Sequence, residues 1–205
     1  MRELTKQVMT DYGLEPKLIF DIGAYDGFHA EQFRQWFPAA SVVAFEASLR
    51  NYAEKCWYRL RLGITFVHAA VIDFNGSVDF HDSIGTYEGS GSALRPNTAM
   101  LRDVYPDMRF AEPYRVPAVR LDTFCNRVGC GTPDFLHIDA QGADLKIVQS
   151  LGSLRPKGIY LETSACGEYI GSPESVEVIL AELAKRGYRR VEQFDNDALF
   201  LHGDA

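Results

Sequence analysis

The sequence predicts an α/β domain built on a mostly parallel sheet, and three observations indicate it. Short apolar, β-prone runs alternate with segments of helical periodicity along the 205 residues. A glycine-bearing turn at residues 23–27 directly follows the first apolar run, residues 17–21. Near the end of the chain, two β-prone runs at 188–193 and 198–201 flank a short connection. They predict a terminal antiparallel hairpin, which a purely parallel nucleotide-binding sheet does not need.

The first part of the chain is expected to contain three strands separated by two helices. Pro38 ends the first helix, because proline cannot continue it, and Ser48 caps the second, which ends near Gly63. Asn75 and Gly76 then form a turn signal and predict a hairpin with residues 77–80. The predicted elements are a strand at 17–21, a helix at 28–37, a strand at 41–46, a helix at 48–63 and a strand at 64–71.

The alternation of strands and helices resumes in the last third of the chain. Apolar runs at 135–139 and 158–162 predict strands. Residues 143–151 and 173–185 predict helices, and Pro173 is well placed in the first turn of the second one.

Residues 83–115 interrupt this alternation. They contain four glycines or prolines before Asn97, and then Pro106 and Pro113. A segment of this length without regular elements is uncommon inside a compact domain and often forms a lid or a binding loop. We therefore predict a lid or substrate loop here, with a short helix near residues 98–105.

Composition limits the classes of function. The length suits one buried core, so we expect a single domain over residues 1–205. The formal net charge of −7 disfavours a nucleic-acid partner, because phosphates need clustered Lys and Arg.

No apolar run reaches the ~20 residues of a membrane span, and residues 1–13 carry no apolar signal core. We expect a cytoplasmic protein with no membrane partner and four free thiols. No sequence feature specifies an oligomeric state.

The turn after the first strand is the first candidate binding site. An open α/β sheet binds its cofactor at this position. Gly23 permits a tight turn and the close approach of a ligand, and the helix that follows presents free backbone N–H groups. Asp21, at the tip of the strand, can bind a cationic ammonium group. The same pattern is also compatible with a plain tight turn between a strand and a helix.

Glu46 and Tyr25 bear on which cofactor binds. Glu46 lies at the tip of the second predicted strand, where a carboxylate can accept hydrogen bonds from two ribose hydroxyls. A dinucleotide site requires G-x-G-x-x-G, whereas here the pattern is G-x-x-x-G, with Tyr25 at the position of the second glycine. A side chain there crowds a pyrophosphate, so S-adenosylmethionine is favoured over a nicotinamide cofactor.

Several stretches of this chain resemble FkbM-type methyltransferases, a branch of the class I S-adenosylmethionine-dependent enzymes. The matching stretches, in the family's order, are FDIGAYDG at 20–27, VVAFEAS at 42–48, HAAVID at 68–73, GSGSAL at 89–94, RLDTF at 120–124 and DFLHIDAQGADLKIVQSL at 134–151. The resemblance implies a Rossmann-like sandwich with a seven-stranded, mostly parallel sheet and an antiparallel C-terminal strand. It also implies O-methylation as the usual reaction.

The resemblance assigns site residues by position. Asp21, Gly23 and Gly27 match the cofactor loop, Glu46 matches the ribose carboxylate, and Asp139 matches the acidic residue next to the methyl donor. The full predicted cofactor-binding set is Asp21, Gly23, Tyr25, Gly27, Glu46, Ala47, His68, Ala69, Ala70 and Asp139, of which residues 68–70 match the segment beside the adenine. Many relatives have Lys in place of His137 and Glu in place of Gln141 and Asp144.

His137 and Asp139 are the predicted catalytic residues. Methyl transfer needs mainly positioning, and a neutral hydroxyl must also lose a proton to a base. The two residues lie two apart on one predicted strand, so their side chains share a face, and His137 titrates near neutrality. A buried His137 satisfied by a neighbour is an equal alternative. Mg²⁺ held by Asp139 and Glu162 is a further alternative, which we do not favour because two carboxylates are few ligands.

The function predicted from the sequence is S-adenosylmethionine-dependent O-methylation of a small hydroxylated molecule, such as a sugar, a polyketide or a similar metabolite. Two alternatives use the same cofactor site. One is N-methylation of a small amine, and the other is a non-catalytic S-adenosylmethionine-binding partner subunit.

Overall fold

A computed structural model describes residues 4–163 and 167–203 of the chain. Its centre is a seven-stranded sheet, and three smaller sheets have two or three strands each. The strands are β1 Leu18–Ile22, β2 Ser41–Glu46, β3 Ile64–His68, β4 Ala70–Val71, β5 Gly76–Phe80, β6 Ser83–Ile84, β7 Arg95–Pro96, β8 Arg109–Phe110, β9 Tyr114–Val119, β10 Phe135–Ile138, β11 Gly158–Glu162, β12 Tyr169–Ile170, β13 Tyr188–Gln193 and β14 Asp197–His202. The α-helices are α1 Lys6–Asp11, α2 Phe28–Trp36, α3 Leu49–Asn51, α4 Thr98–Val104, α5 Leu121–Val128, α6 Asp144–Ser150 and α7 Val176–Lys185.

The large sheet has the strand order β13-β14-β11-β10-β1-β2-β3. Strands β3, β2, β1, β10 and β11 pair in parallel, whereas β14 pairs antiparallel with both β11 and β13. This arrangement confirms the predicted mostly parallel sheet of seven strands with an antiparallel C-terminal strand. The order reverses direction at β1, so the carboxyl ends of β1 and β10 flank a crevice of the kind that binds ligands in open α/β sheets.

Helices cover both faces of the large sheet. Alternate residues of β1 and β10 point to opposite faces, as the period of a strand requires. On one face, Phe20 and Leu136 pack in the core that includes the buried side chains of α5, α6 and α7. On the other face, Ile19 and Phe135 pack with Met9 of α1 and Phe33 of α2. The two cores together bury the centre of the sheet.

Two predictions for residues 64–80 are wrong. The predicted strand 64–71 divides at Ala69, whose N–H donates to the carbonyl of Glu46, and β4 joins a separate three-stranded sheet of order β4-β9-β5. The turn at residues 75–76 does not close a local hairpin, because β5 pairs antiparallel with β9. Strand β9 was not predicted from the sequence, since Pro117 within it is atypical of a paired strand.

Helix boundaries and irregular helices account for the other differences. The predicted helix at 48–63 begins as α3, capped by the Ser48 hydroxyl, and then continues as a π-helical turn at Tyr52–Cys56 and a 3₁₀ segment at Trp57–Leu62. The last predicted helix begins at Val176, three residues after Pro173. Helix α5 had not been predicted, although RLDTF covers its start.

The segment 83–115 is ordered by short pairings. Strand β6 pairs with β8, β7 pairs with β12, and His81 forms an isolated bridge with Ser92. The predicted short helix is confirmed as α4. No helix in the described ranges is long and apolar enough to cross a membrane. Cys56, Cys125 and Cys130 are free thiols, and Cys166 lies outside the described residues.

Asp134, the residue before β10, connects β10 to the start of β1 through hydrogen bonds at the amino end of the sheet. Its Oδ2 accepts the backbone N–H groups of Lys17 and Leu18 at 2.8 and 3.0 Å, and Lys157 lies 3.3 Å from its Oδ1. Burial alone raises the pKa of Asp134, but these donors and the Lys157 ammonium outweigh it, so the pKa lies below its ordinary value. The ionised carboxylate therefore stabilises the fold above the unfolded-state pKa, and this contribution is lost as the pH falls through the folded-state pKa.

We predict that Asp134→Ala lowers the free energy of unfolding by about 1–3 kcal/mol at neutral pH, because two backbone donors lose their acceptor. Urea denaturation measures the change, and replacing the exposed Asp107 by Ala serves as the control. The difference between wild type and Asp134→Ala should shrink as the pH falls from about 4, the ordinary aspartate pKa, through the lower folded-state pKa, because the wild-type carboxylate then becomes protonated. A loss that is independent of pH would contradict this account.

Candidate functional site

Two cavities lie at the carboxyl end of the large sheet, and Asp139 lines both of them. The first is bounded by the turn after β1, the end of β2 and the residues that follow β3. The second lies toward α2 and the connection between β13 and β14. Their common wall is the end of β10, next to β1, where the strand order reverses.

The turn at Gly23 brings backbone unusually close to the end of β10. Its φ of +84° is in the left-handed region, and a Cβ built on it would lie 1.8 Å from the carbonyl oxygen of Asp139. The N–H groups of Gly23 and Ala24 both donate to the carbonyl of Phe45 at 3.0 Å, so the turn is tied to β2 as well. Only glycine satisfies both the conformation and the space at this position.

The first cavity has a volume of about 50 Å³. Its walls are mostly apolar, and its polar lining includes two carboxylates and an amide. The predicted residues that it brings together are Gly23, Tyr25, Glu46, Ala47, Ala69, Ala70 and Asp139. Phe45, Val71 and Ala143 are also part of its apolar lining.

Glu46 is the buried acid of the first cavity, with 5% of its surface exposed. Its Oε2 accepts the N–H of Tyr25 at 2.6 Å and its Oε1 accepts the N–H of Ser48 at 2.7 Å. Burial raises the pKa of Glu46 to about 8, although both N–H bonds act in the opposite direction. Both carboxyl oxygens keep further hydrogen-bonding capacity for a ligand hydroxyl.

Asn51 is a lining residue that sequence reasoning missed. It is buried, and its Oδ1 has no hydrogen-bond partner within the described part of the chain. A buried unpaired amide oxygen is costly unless a ligand or water satisfies it. A sequence signal for Asn51 did exist, because it lies three residues after the capping residue Ser48. In the structure, the N–H of Asn51 donates to the Ser48 hydroxyl. Asn51, in this capped turn, lines the first cavity.

Residues 85–93, which we call the covering segment, extend over the first cavity. Gly89, Gly91 and Ala93 belong to its lining. On one side, Glu88 accepts the Tyr25 hydroxyl at 3.0 Å and pairs with the Lys55 ammonium. The Lys55 ammonium also lies 4.2 Å from the centre of the Tyr25 ring.

The covering segment is held from its other side as well. The Tyr169 hydroxyl donates to the carbonyl of Ser90 at 2.6 Å, and the Ser92 hydroxyl donates to the carbonyl of Gln141 at 2.8 Å. These contacts close the segment against the cavity. The segment 83–115 therefore contributes to the first cavity, and its role as a lid or substrate loop stays a prediction.

Three predicted cofactor residues do not line the first cavity. Gly27, with a φ of +78°, is the N-cap of α2 and would carry a Cβ 2.9 Å from the Phe66 ring. The Nε2 of His68 lies 3.1 Å from the carbonyl of Ala47, and its ring packs against Tyr52. Asp21, the third of these residues, is fully buried. In this conformation, Gly27 and His68 contact neighbouring protein groups and not the first cavity.

Asp21 and His137 form a buried pair across the two central strands. They are register partners of β1 and β10, and the Nδ1 of His137 lies 2.7 Å from the Oδ1 of Asp21. Burial alone lowers the pKa of His137, but the hydrogen bond and charge of Asp21 outweigh it and the pKa lies above its ordinary value. The Oδ2 of Asp21 has no hydrogen-bond partner within residues 4–163 and 167–203.

The second cavity has a volume of about 330 Å³. His137 lines it, together with His29 of α2, whose ring centre lies 4.5 Å from that of His137. Tyr160 stacks on His137 with an interplanar angle of 12°, and its hydroxyl donates to the Oδ2 of Asp197 at 2.9 Å. His137, the predicted base, is thus held in position by its hydrogen bond with Asp21 and by contacts with neighbouring rings.

Asp139 follows the last residue of β10, and its Oδ1 accepts the side-chain N–H of Gln141 at 2.9 Å. Gln141 has a φ of +50°, a rare conformation for a residue with a side chain. In the described ranges, no group of three or more His, Cys, Asp or Glu residues is placed to hold a metal ion. Asp139 with Glu162, the pair considered from the sequence, is not part of such a group.

A family model for the methyltransferase FkbM domain matches residues 21–190. This chain belongs to the FkbM methyltransferase domain family. It is 33% identical over 140 residues to the 2-O-methyltransferase NoeI of Sinorhizobium fredii (strain NBRC 101917 / NGR234). The aligned region covers 64% of this chain and 56% of NoeI, so the chain spans little more than half the length of that relative.

Solved structures with the same fold include three methyltransferases or related proteins. The precorrin-6y C5,15-methyltransferase of Geobacter metallireducens GS-15 has a TM-score of 0.50 and 13% identity, and the match covers 95% of this chain and 84% of that one. The SAH-bound methyltransferase PaMTH1 of Podospora anserina has a TM-score of 0.52 and 14% identity, with 97% of this chain and 76% of that one covered. The Methanococcus jannaschii fibrillarin pre-rRNA processing protein has a TM-score of 0.51 and 11% identity, with 92% of this chain and 67% of that one covered. At these identities the likeness shows the fold alone. The Rossmann-like class I methyltransferase fold predicted for this FkbM-family chain is confirmed.

Gly23→Ala tests the close approach of β1 and β10 in this FkbM domain. We predict a loss of several kcal/mol of unfolding free energy, because strain at positive φ of about 1–2 kcal/mol adds to the clash with the Asp139 carbonyl. Gly13→Ala is the matched control: its φ is +72°, but a Cβ there meets nothing within 4 Å. Thermal or urea unfolding compares the two variants. Equal losses would mean that the contact with Asp139 adds nothing.

Proposed function

We propose that this chain is an S-adenosylmethionine-dependent O-methyltransferase that acts on a hydroxyl group of a small molecule. The observation that carries the proposal is the first cavity, in which Glu46, at the end of β2, meets the Gly23 turn after β1. Family membership supports methyl transfer, and the relative NoeI is an O-methyltransferase. The second cavity, which adjoins the first at Asp139, supports a separate place for the methyl acceptor.

The residues of the first cavity fit the parts of S-adenosylmethionine. Phe45 and Val71 offer an apolar slot for a flat base. Glu46 and the unpaired Oδ1 of Asn51 offer acceptors for ribose hydroxyls or a base amino group. Asp139, on the rim toward β10, offers a carboxylate to the ammonium group of the amino-acid portion.

The same lining does not suit a dinucleotide. In the described part of the chain, no Lys or Arg lines the first cavity, so a pyrophosphate would find no cation there. Tyr25, at a φ of +50°, places its side chain where a dinucleotide fold has its second glycine. These features favour a cofactor that is cationic.

Entry of the cofactor requires the covering segment to move. The first cavity, at about 50 Å³, is well below the roughly 300 Å³ of the smallest ordinary ligand pockets. Glycines 89 and 91 in its roof are compatible with such a movement, and the Tyr25–Lys55–Glu88 contacts are the ones that must open.

Asp21 and His137 supply a base for the acceptor hydroxyl. S-adenosylmethionine, when bound, would supply a methyl group that is activated by its positively charged sulfur. With its Nδ1–H donated to Asp21, neutral His137 has Nε2 as its proton acceptor. Asp21 orients the ring and stabilises the imidazolium that forms, which is consistent with the raised pKa of His137.

N-methylation and a non-catalytic binding role use the same first cavity. A ring held by a buried carboxylate at the wall of a second cavity favours a catalytic role, because proton removal is needed from a hydroxyl and simple cofactor binding has no use for a base.

We predict that Glu46→Gln weakens S-adenosylhomocysteine binding by tenfold or more, because one of the two carboxyl oxygens that face the ribose hydroxyls is replaced by an amide NH₂. Isothermal titration calorimetry measures the affinity, and the exposed Glu54→Gln is the control. Gln is preferable to Ala, since Gln keeps an acceptor for one of the N–H groups of Tyr25 and Ser48, whereas Ala removes the acceptors of both. NAD should show no binding to wild type. Unchanged affinity in Glu46→Gln would remove Glu46 from the cofactor site.

We predict that His137→Gln lowers kcat by roughly 10²–10⁴, the usual contribution of a positioned base. Gln keeps a donor for Asp21, so binding of S-adenosylhomocysteine should persist. Turnover is followed as S-adenosylhomocysteine released with neutral methyl glycosides as acceptors, and His81→Gln, outside both cavities, is the control.

Wild-type activity should fall as the pH drops through the raised pKa of His137, because the imidazolium cannot accept a proton. EDTA should have no effect in this metal-free route. Activity that EDTA abolishes and Mg²⁺ restores would contradict it and would favour Asp139 and Glu162 as metal ligands.

A further inference from the structure

The second cavity has the position of an acceptor site, and this inference rests on the proposed function. It shares Asp139 with the first cavity, and His137 lies in its wall. An acceptor here therefore lies between the predicted base and the cofactor cavity. Its volume of about 330 Å³ is within the range of pockets that take small molecules.

The charged side chains that line this cavity are predominantly acidic. Three aspartates line it, Asp139, Asp195 and Asp197, and no Lys or Arg is among the described lining residues. Ionised carboxylates accept hydrogen bonds and do not donate them. The cavity therefore suits a ligand rich in donors and repels one that carries a phosphate or a carboxylate.

The remaining walls are mostly aromatic or amide. Phe28, at the start of α2, is 55% exposed although it is a large apolar side chain. Tyr160 and Phe194 face the same space from β11 and from the end of β13, with ring centres 5.4 Å apart. Gln32 adds an amide that both donates and accepts. Flat apolar surfaces next to carboxylates and amides match a ring with hydroxyls at its edge and C–H groups on its faces.

We propose that the second cavity binds a neutral, polyhydroxylated ring, a sugar residue without an anionic group, as the methyl acceptor. The aspartates accept hydrogen bonds from its hydroxyls, the aromatic rings pack on its faces, and one hydroxyl is directed to His137. His29, beside His137, is a specificity-determining residue that contacts the same acceptor. The lowered pKa of His29, caused first by burial and then by the charge of His137, keeps this imidazole neutral and able to hydrogen-bond a hydroxyl.

Saturation-transfer NMR in the presence of saturating S-adenosylhomocysteine tests this site. The probes are the methyl glycosides of glucose, galactose, mannose and rhamnose, with glucose 6-phosphate as the anionic probe and glucosamine as the cationic one. At least one neutral glycoside should bind, and glucose 6-phosphate should not. Gln32→Trp, which fills the cavity from α2, should reduce the neutral signal at least fivefold. Gln35→Trp, on an exposed position of the same helix, should leave the signal unchanged.

The outcomes separate this inference from the proposed function. If S-adenosylhomocysteine itself does not bind, the proposed function fails and the acceptor site fails with it. If S-adenosylhomocysteine binds but every neutral glycoside is silent, or glucose 6-phosphate binds equally well, the neutral acceptor class is overturned. Binding of glucosamine alone would overturn it in favour of an amine. Neutral binding that persists in Gln32→Trp would place the sugar elsewhere.

Discussion

The buried pairing of Asp21 with His137 is the interaction on which the rest of the site depends. The two residues are opposite each other on the central strands β1 and β10, and both are almost fully buried. Removing either partner alone leaves the other polar group uncompensated in the core, which is strongly destabilising. The pair therefore couples the integrity of the sheet to the orientation of the imidazole. It also places that ring on the face of the sheet that carries α1 and α2.

The second constraint is the close approach of the Gly23 turn to the carbonyl of Asp139. It brings the ends of β1 and β10 together, so the cavity lined by Glu46 and the cavity lined by His137 meet at one residue. A methyl donor and a methyl acceptor bound on the two sides of Asp139 would face each other across it. Positioning of this kind is the main requirement of an in-line displacement.

Much of this architecture follows from local sequence signals. The apolar runs of β1, β2, β10 and β11 predicted the parallel centre, and the two runs near the end of the chain predicted the antiparallel hairpin. Gly23 and Glu46 stand out from the sequence because strand tips and glycine turns have strong local patterns. Both line the first cavity.

Features that depend on distant contacts were not predictable in this way. Strand β9 pairs with β4 and β5 across a long separation, and Pro117 within it hides the strand pattern. The cavity position of Asn51 depends on how a capped turn meets the sheet, and that of His29 depends on the packing of α2. The partnership of Asp21 with His137 depends on the register of two strands 116 residues apart. Register is set by the whole sheet and not by either segment alone.

Amide chemical-shift mapping during titration with S-adenosylhomocysteine tests the central claim most directly. We predict saturable shifts concentrated at Gly23, Tyr25 and Ala47 and in the covering segment at Gly89 and Gly91, because the ligand fills the first cavity and moves the covering segment. Shifts confined to the surface near α7, or no saturable shifts at all, would contradict the placement of the cofactor and the function that rests on it.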